Sequence, residues 1–337
     1  GPGIYNENVN SNMNLGAQSL EGLKLESTAG RYATIINAPN TSASVIRVWQ
    51  SKVQIGKKGK GFTVTGATGR FGIEIATANA SRCKIEGNRA TANQYGFFLQ
   101  GERIQVRNNI AKGNSSSGIQ CNLCNQGLIR ENHVTDSGIE GLAITNSAQA
   151  TVERNIASEN VGVAIVIGGD SARVRDNVAE LSTAGDGILM ADIDGALIQG
   201  NIAARSGGVS PGFRLVQSNY NNPPQVKSNL AVGNVSDGFR LSGLLNAKVD
   251  GNTAVGNTDD GINIISGTTV SSLKTNNTYD NDTAAIFSCG IRNDSGNSVT
   301  YTKHFFGGGD TVCGAIVPTG TFATKPSPLK VKVAASL

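Results

Sequence analysis

The stretch SGIQCNLCNQGLIRENHVTDSGI, Ser117–Ile139, is one complete unit of the repeat that decides the fold. It consists of short runs in which apolar and polar residues alternate, separated by turns rich in glycine, asparagine and serine, and no run is long enough for a helix. Its clearest mark is an apolar residue followed three places later by asparagine, here Ile129 and Asn132. The unit therefore predicts three short strands per turn of a parallel β-helix.

The same apolar-to-asparagine mark is repeated along most of the chain. Its asparagines are Asn88, Asn109, Asn132, Asn155, Asn177, Asn201, Asn229, Asn252 and Asn276, and successive ones lie 21 to 28 residues apart. Such a period is typical of a solenoid, whose units bury their apolar face only by stacking. We predict an all-β fold, a right-handed single-stranded parallel β-helix of about ten to twelve coils with an irregular C-terminal cap.

One continuous domain accommodates the whole chain of 337 residues. We expect irregular N-terminal coils over 1–70, regular coils over 71–287 and a capping tail over 288–337. The 43 glycines, 8 prolines and 16% charged residues fit many corners and few exposed helices. A net charge of +4 without an arginine-rich run argues against nucleic acid, and no apolar stretch is long enough to span a membrane.

The repeated asparagines are interpreted as scaffold. An inward amide at a corner can satisfy backbone groups of its own coil and the next, and asparagine tolerates the left-handed backbone that such corners need. A second ladder lies five residues further on, at Asn93, Asn114, Asn160, Asn234, Asn257 and Asn281, with Ser137, Ser182 and Ser206 in the remaining coils. Among the five cysteines, Cys83 and Cys121 are expected to be buried apolar residues, whereas Cys289 and Cys313 are candidates for a disulfide.

Candidate chemistry lies on the outward positions of the first strand of each coil. The outward column is Glu74, Phe98, Gln120, Ala143, Val166, Leu189, Arg214, Arg240, Asn263 and Phe287. Its Phe98–Leu189 part is largely apolar and predicts a covering segment or a subunit interface, such as a homotrimer seam. Arg214 and Arg240 should be stacked in neighbouring coils, where their charges require a protein carboxylate or an acidic substrate above them.

Acidic residues follow and precede the same strand. Asp170, Asp192 and Asp194 from two adjacent coils are predicted to take acid or base roles or to hold calcium, with a salt-bridged surface cluster as the alternative. Asp186, Asp237 and Asp260, with Glu140, precede the strand glycine and are interpreted as turn residues. The predicted catalytic set is Asp170, Asp192, Asp194, Arg214 and Arg240, and the predicted substrate-binding set is Tyr220, Asn263 and Gln217.

The coils, in which Asn-x-Ala is followed by a polar turn and Gly-Ile-x-Leu, resemble the right-handed β-helix repeats of the pectate-lyase-like superfamily. This superfamily of carbohydrate-binding proteins and sugar hydrolases includes pectate lyases, polygalacturonases, mannuronan epimerases, periplasmic copper-accessory proteins and phage tailspike depolymerases. The resemblance covers roughly Gly3 to Cys289. Asn257-Thr258-Asp259-Asp260 resembles a polygalacturonase motif, but the Gly-His-Gly of those enzymes and the Asp-Pro-His-Asp of the epimerases are absent.

The resemblance implies a polysaccharide partner and either a lyase or a glycoside hydrolase acting on an acidic glycan, with calcium or no cofactor. The alternative is a non-catalytic adhesin or structural spike of the phage tailspike type. The resemblance also implies an extracellular, periplasmic or virion-surface location, and we expect that a signal segment or an upstream domain precedes Gly3 in the natural protein. His133 and His304 are too far apart in the repeat for a histidine-based triad.

Overall fold

The chain is all-β, a parallel β-solenoid of about eleven turns with three sheets, which confirms the predicted fold class. The computed structural model describes residues 2–10, 21–217, 222–265, 267–281, 289–308, 310–314, 316–318, 323 and 325–326. In this part of the chain no helix is long and apolar enough to cross a membrane. The residues divide into two compact units, Gly1–Val161 and Gly162–Ser336.

The first unit contains three parallel sheets, here named A, B and C. Sheet A consists of strands Gly3–Asn6, Thr34–Asn37, Thr63–Thr65, Arg89–Thr91, Ile110–Lys112, His133–Thr135 and Ile156–Ser158. Sheet B consists of strands Val9–Asn10, Ile46–Val48, Phe71–Ile75, Tyr95–Gln100, Ile119–Asn122 and Leu142–Thr145. Sheet C consists of strands Lys24–Leu25, Gln54–Ile55, Lys84–Glu86, Gln105–Arg107, Leu128–Arg130 and Thr151–Glu153.

The second unit repeats the pattern. Its sheet A strands are Val178–Glu180, Ile202–Ala204, Leu230–Val232, Thr253–Val255, Asn277–Tyr279 and Phe305–Gly307. Its sheet B strands are Ile165–Gly168, Ile188–Ala191, Phe213–Val216, Phe239–Ser242, Ile262–Ile264, Ile291–Asn293 and Val312–Gly314. Its sheet C strands are Arg173–Arg175, Leu197–Gln199, Gln225–Lys227, Ala247–Asp250 and Val270–Lys274, and a further pair joins Val299–Tyr301 to Ile316–Pro318.

Each strand pairs with the strand one coil away at the same repeat position, so equivalent residues are stacked. Phe213 pairs with Phe239 across sheet B of the second unit, and both side chains are fully buried. Their rings are stacked, with centroids 4.7 Å apart. Because side chains alternate across a strand, the residues between these inward positions point outward and are available for function.

Within each unit the asparagines of the first ladder are linked by hydrogen bonds from coil to coil, as Asn132 shows. This residue is fully buried, and its Nδ2 donates to the carbonyl oxygen of Val106 and to Oδ1 of Asn155, each at 2.9 Å. Its Oδ1 accepts bonds from the backbone N and Nδ2 of Asn109, each at 3.1 Å. The amide therefore satisfies backbone groups of the preceding coil and bonds to the asparagine side chains of the coils on both sides.

The left-handed backbone at these corners belongs to the residue before the asparagine, which corrects the expectation from sequence. Asn108, Glu131 and Asp176 each precede a ladder asparagine and have φ of 55°, 55° and 55°. Glycine takes the same place before Asn201, with φ of 69° at Gly200. The asparagine is needed because its side-chain amide forms the ladder hydrogen bonds, whereas the residue before it adopts the unfavourable positive φ.

Other side chains end both ladders in the second unit. In the first ladder, Nε2 of the buried His304 donates to the carbonyl oxygen of Leu273 at 2.9 Å, the place that the asparagine amide takes in earlier coils. In the second ladder, Asp310 accepts bonds from Asn281, at 3.0 Å from N and 2.7 Å from Nδ2. His304 is therefore part of the scaffold.

Four of the five cysteines form disulfides. Cys289 is bonded to Cys313, the pair indicated by the sequence. Cys121 is bonded to Cys124, where the sequence indicated only a buried apolar residue. Cys83 is buried and carries a free thiol. The spacing of three residues within one coil brings the Cys121 and Cys124 side chains to the same side of the turn.

Candidate functional site

A polar column runs along the outward side of sheet B in the second unit. In register, Leu189 pairs with Arg214, Arg214 with Arg240, Arg240 with Asn263, and Asn263 with Arg292. The structure thus places Arg214 and Arg240 in adjacent strands, as the sequence predicted, and adds Arg292. The sequence carried a signal for Arg292, because Gly290-Ile291-Arg292 repeats the pattern of Gly238-Phe239-Arg240.

Each arginine of this column is held by a carboxylate beneath it. Arg214 Nη2 lies 3.0 Å from Asp186 Oδ1, Arg240 Nε lies 2.6 Å from Asp237 Oδ2, and Arg292 Nε lies 2.6 Å from Asp260 Oδ2. The arginine side chains are 37%, 27% and 24% exposed, whereas the aspartates are 5%, 0% and 1% exposed. These aspartates are the residues that sequence analysis interpreted as turn residues, and the turns direct them inward, under the guanidinium groups.

Burial makes the three aspartates easier to protonate. The pKa of Asp260 is raised to about 6 as the net result: burial raises it most, the hydrogen bonds from Arg292 and from the Cys289 backbone lower it, and the charge of Asp237 raises it. Burial likewise raises the pKa of Asp237 and of Asp186, and the ion pairs with Arg240 and Arg214 oppose this rise. Desolvation thus outweighs the arginine charges at all three positions.

Asp259 adds a third carboxylate beside Asp237 and Asp260. Oxygens of these three side chains lie within 4.8 Å of one another, and in the described part of the chain they form the one such group of histidine, cysteine or acidic side chains. Asp237 and Asp260 are buried, whereas Asp259 is partly exposed. Asn263 Nδ2 lies 3.4 Å from Asp237 Oδ2, and its Oδ1 is buried without a hydrogen-bond partner.

The Cys289–Cys313 disulfide lies directly beside this cluster. The backbone N–H of Cys289 donates to Asp260 Oδ1 at 2.7 Å, and Cys313 pairs with Arg292 across sheet B. Both donors to Asp260, the Cys289 amide and the Arg292 guanidinium, therefore belong to a coil that the disulfide fastens to the next strand.

The predicted aspartate set Asp170, Asp192 and Asp194 has a different environment. Asp194 is buried and accepts hydrogen bonds from Asn222 Nδ2 at 2.9 Å, from the Asn222 backbone N–H, and from Gln217 Nε2 at 3.3 Å. Asp170 and Asp192 are exposed, and partial burial together with the charges of Asp194 and Asp192 raises the pKa of Asp170. The three aspartates are thus neighbours, but the carboxylate oxygens of Asp194 are hydrogen-bonded to Asn222 and Gln217 and hold the backbone at Asn222 in place.

Two of the three predicted substrate-binding residues can be placed. Asn263 lies in the outward column between Arg240 and Arg292. Gln217 is buried: its Nε2 donates to Asp194, and its Oε1 accepts a hydrogen bond from the Leu245 backbone N–H at 3.4 Å. Its side chain therefore forms hydrogen bonds within the protein. Tyr220 lies outside the described residues.

Solved structures with the same fold include enzymes that modify polysaccharides. The A-module of the mannuronan C-5 epimerase AlgE4 of Azotobacter vinelandii gives a TM-score of 0.61 at 15% identity, covering 95% of this chain and 89% of that one. The catalytic unit of a GH87 α-1,3-glucanase of Streptomyces thermodiastaticus gives 0.57 at 12%, covering 98% and 64%. The periplasmic alginate epimerase AlgG gives 0.51 at 12%, covering 93% and 84%. At these identities the likeness shows the fold alone.

Family membership rests on the sequence match. No curated protein matches the chain significantly. The family described as "Periplasmic copper-binding protein (NosD)" matches residues 6–179, which is 174 of the 337 residues. Because this match covers more than half of the chain, the protein belongs to the NosD family of right-handed parallel β-helix proteins.

Proposed function

We propose that the protein acts on an acidic polysaccharide, whose carboxylates bind to the arginine column of Arg214, Arg240 and Arg292. The observation that carries this proposal is the arrangement of each guanidinium over a buried aspartate, at 2.6 to 3.0 Å. The aspartate holds each guanidinium in place, with a second bond from Arg240 Nη2 to the Ser236 hydroxyl at 2.9 Å, and the arginine side chains remain 24% to 37% exposed. Arginine binds carboxylates through two parallel N–H groups, so a guanidinium that is already oriented is a suitable receptor.

The column suits a polymer better than a small anion. Arg214 and Arg240 belong to adjacent strands, and Arg292 belongs to the strand beyond Asn263. Because strands lie about 4.8 Å apart in a sheet, the column presents cationic groups in a line across several strands. The raised pKa values of the aspartates increase the net positive charge of the column as pH falls. Binding of an acidic chain should therefore strengthen on moderate acidification.

The chemistry that this cluster supports best is removal of the proton from the sugar carbon that carries the carboxylate. Arg240 and Arg292 would neutralise that carboxylate and so acidify the adjacent C5–H bond, and Asp259, the partly exposed carboxylate, would take the proton. In elimination, the C5–H electron pair forms the C4=C5 double bond, the C4–O bond breaks, and the leaving oxygen takes a proton from water. In epimerisation, a proton returns to C5 from the opposite face.

Hydrolysis is supported less well. Both usual mechanisms need two carboxyl groups that flank the scissile bond. Asp237 and Asp260 have exposed fractions of 0% and 1%, so of this cluster Asp259 is the carboxylate placed to meet a sugar. The epimerases AlgE4 and AlgG share the fold and are named for uronate polymers, which is consistent with proton abstraction.

Copper, which the family description names, fits the described residues poorly. Soft thiolate or thioether sulfur and imidazole nitrogen are the usual copper ligands. Here four cysteines are in disulfides, Cys83 and Met190 are buried in the core, and His304 donates to a backbone carbonyl. His133 is partly exposed on sheet A of the first unit, and in the described part of the chain it belongs to no group of three or more potential metal ligands. Asp237, Asp259 and Asp260 offer only hard oxygen donors, two of them already paired with arginines. No step is therefore assigned to copper.

The two disulfides support function outside the cytoplasm. The NosD family is described as periplasmic, and the structurally similar epimerase AlgG is a periplasmic protein. We propose a periplasmic or extracellular location.

The test is incubation of the purified chain, with and without calcium, with mannuronan, polygalacturonate and a neutral glucan. Ultraviolet absorbance of unsaturated uronate, reducing ends and the C5 configuration of the product are followed. We expect a change only with the acidic polymers, lost in Arg292→Gln and Asp259→Asn and retained in Glu180→Gln, a partly exposed acid on sheet A. Reducing ends without absorbance would indicate hydrolysis instead, and binding without any product would indicate the adhesin alternative.

A further inference from the structure

A group of aromatic side chains lies on sheet B of the first unit, in a chain with only 5% aromatic residues. The rings of Phe71 and Phe98 are stacked with centroids 4.4 Å apart, and Tyr95 lies 5.2 Å from Phe71 and 6.2 Å from Phe98. Phe98 and Tyr95 are partly exposed, whereas Phe71 is 8% exposed. These three residues, with Arg70, are called the aromatic platform.

Arg70 gives the platform a positive charge. Its guanidinium carbon lies 5.0 Å from the centroid of the Phe71 ring, in cation–π contact. Among the described residues no carboxylate lies within ion-pair distance of Arg70, in contrast to Arg47, Arg214, Arg240 and Arg292. The platform therefore combines an apolar ring surface with a cation that the fold has not neutralised.

A polar group borders the platform in the neighbouring coils. Phe98 pairs in register with Glu74, and Glu74 pairs with Arg47. The Glu74 carboxylate, 5% exposed, forms an ion pair with Arg47, whose Nε lies 3.0 Å away, and accepts a hydrogen bond from the Ser44 hydroxyl. Arg47 in turn lies 4.3 Å from the centroid of the Trp49 ring.

This pattern departs from the continuous apolar stripe expected between Phe98 and Leu189. Phe98 has Glu74 on one side and Gln120 on the other, and Ala143, next along, is only 5% exposed. An acidic sugar residue matches the platform: the apolar C–H side of its ring can lie on an aromatic face while its carboxylate pairs with a guanidinium.

We propose that the aromatic platform is a non-catalytic binding site for a uronic-acid residue of the same polysaccharide, separate from the arginine column. The proposal takes its ligand class from the proposed function, but the two can fail independently. Phe98 stacks on the sugar, Arg70 binds its carboxylate, and Arg47, held in place by the buried Glu74, offers hydrogen bonds to hydroxyl groups. The site would hold a polymer without reacting with it.

Trp49 provides a local reporter, because it is the single tryptophan of the chain and contacts Arg47. Short oligomers of mannuronate or galacturonate are titrated into the full chain while tryptophan fluorescence is recorded, with neutral gluco-oligomers as the ligand control. We expect a saturable change with the acidic oligomers alone. Arg70→Gln and Phe98→Ala should each weaken this affinity about tenfold, the range for loss of one charge-assisted contact or one stacked ring.

Two matched variants control for surface changes in the same unit. Lys84→Gln removes an exposed charge on sheet C, and Tyr32→Ala removes a ring that is 68% exposed, so both should leave the titration unchanged. Unaltered affinity in folded Arg70→Gln and Phe98→Ala proteins would overturn the proposal, as would an equal response to neutral oligomers. A change in oligomeric state of Phe98→Ala without loss of binding would instead assign the platform to a second copy of the chain.

The variant Asp259→Asn separates this proposal from the proposed function. If it abolishes turnover but keeps the Trp49 titration, both proposals stand. If turnover is absent from every protein and the titration persists, the platform survives while the chemistry fails. If the titration is absent and turnover persists, the platform alone is refuted.

Discussion

Replacing Arg240 by alanine should destabilise the protein far more than its surface position implies. The substitution removes the 2.6 Å bond to Asp237, whose side chain is fully buried, and leaves that carboxylate without its cation. Breaking a buried pair from one side typically costs about 3 kcal/mol or more. Because burial already raises the pKa of Asp237, loss of Arg240 should raise it further, so the deficit shrinks as pH falls and Asp237 takes up a proton.

The assay is urea unfolding followed by circular dichroism at neutral and mildly acidic pH. Asp237→Asn in the Arg240→Ala background should restore much of the lost free energy of unfolding, because a neutral amide tolerates the site. The matched control is Arg205→Ala, which breaks the exposed Arg205–Glu180 pair and should cost at most about 1 kcal/mol. Equal costs for the two alanine variants, or no rescue by Asp237→Asn, would refute the view that buried carboxylates hold the arginine column.

Three further predictions concern the scaffold and the cluster. Asn132→Ala leaves buried backbone groups of the preceding coil unsatisfied and should lower the free energy of unfolding by about 3 kcal/mol or more in denaturant titration. A loss below about 1 kcal/mol would contradict the ladder's role. Burial lowers the pKa of His304 to about 4, below its usual 6.5, so folding stability is greatest above pH 6.5 and falls by about 3 kcal/mol as the pH approaches 4. His304→Asn should remove this acid sensitivity, and an unchanged dependence of unfolding free energy on pH would contradict the role of His304. Replacing Cys289 and Cys313 by serine should raise the pKa of Asp260 above about 6, because the disulfide no longer holds the Cys289 amide and the Arg292 guanidinium that donate to this carboxylate. Carbon NMR of the Asp260 carboxyl measures this pKa, and an unchanged value would show that the disulfide does not position the two donors.

The repeat made the fold predictable, because one period fixes the three strands, the inward residues and the alignment of successive coils. It placed Arg214 over Arg240 for the same reason: the side-chain period of a strand is two and the stacking is parallel. It did not reveal which corner residue adopts positive φ. Glu131 and Asn132 are both plausible at a turn, and only the hydrogen bonds of the Asn132 amide distinguish their roles.

The site was harder to predict because its decisive residues lie in turns, where period-two alternation no longer indicates direction. Asp237 and Asp260 stand in ordinary Asp-Gly turns, and nothing in that dipeptide shows that the carboxylate turns inward under an arginine. Gln217, predicted to bind substrate, is buried, and its side chain bonds to Asp194, a contact that the sequence did not indicate. The homotrimer stays a prediction, as do the catalytic or calcium-binding roles of Asp170, Asp192 and Asp194, the catalytic roles of Arg214 and Arg240, and the substrate-binding roles of Tyr220, Asn263 and Gln217.

The most direct test of the proposed chemistry is hydrogen exchange at the sugar carbon that carries the carboxylate. Mannuronan is incubated with the protein in heavy water, and deuterium at C5 is measured by NMR for the wild type, Arg292→Gln, Asp259→Asn and the control Glu180→Gln. We predict deuterium incorporation or an unsaturated product with the wild type and Glu180→Gln, and neither with the other two variants. Absence of both signals for the wild type, with mannuronan bound, would contradict proton abstraction at the arginine column.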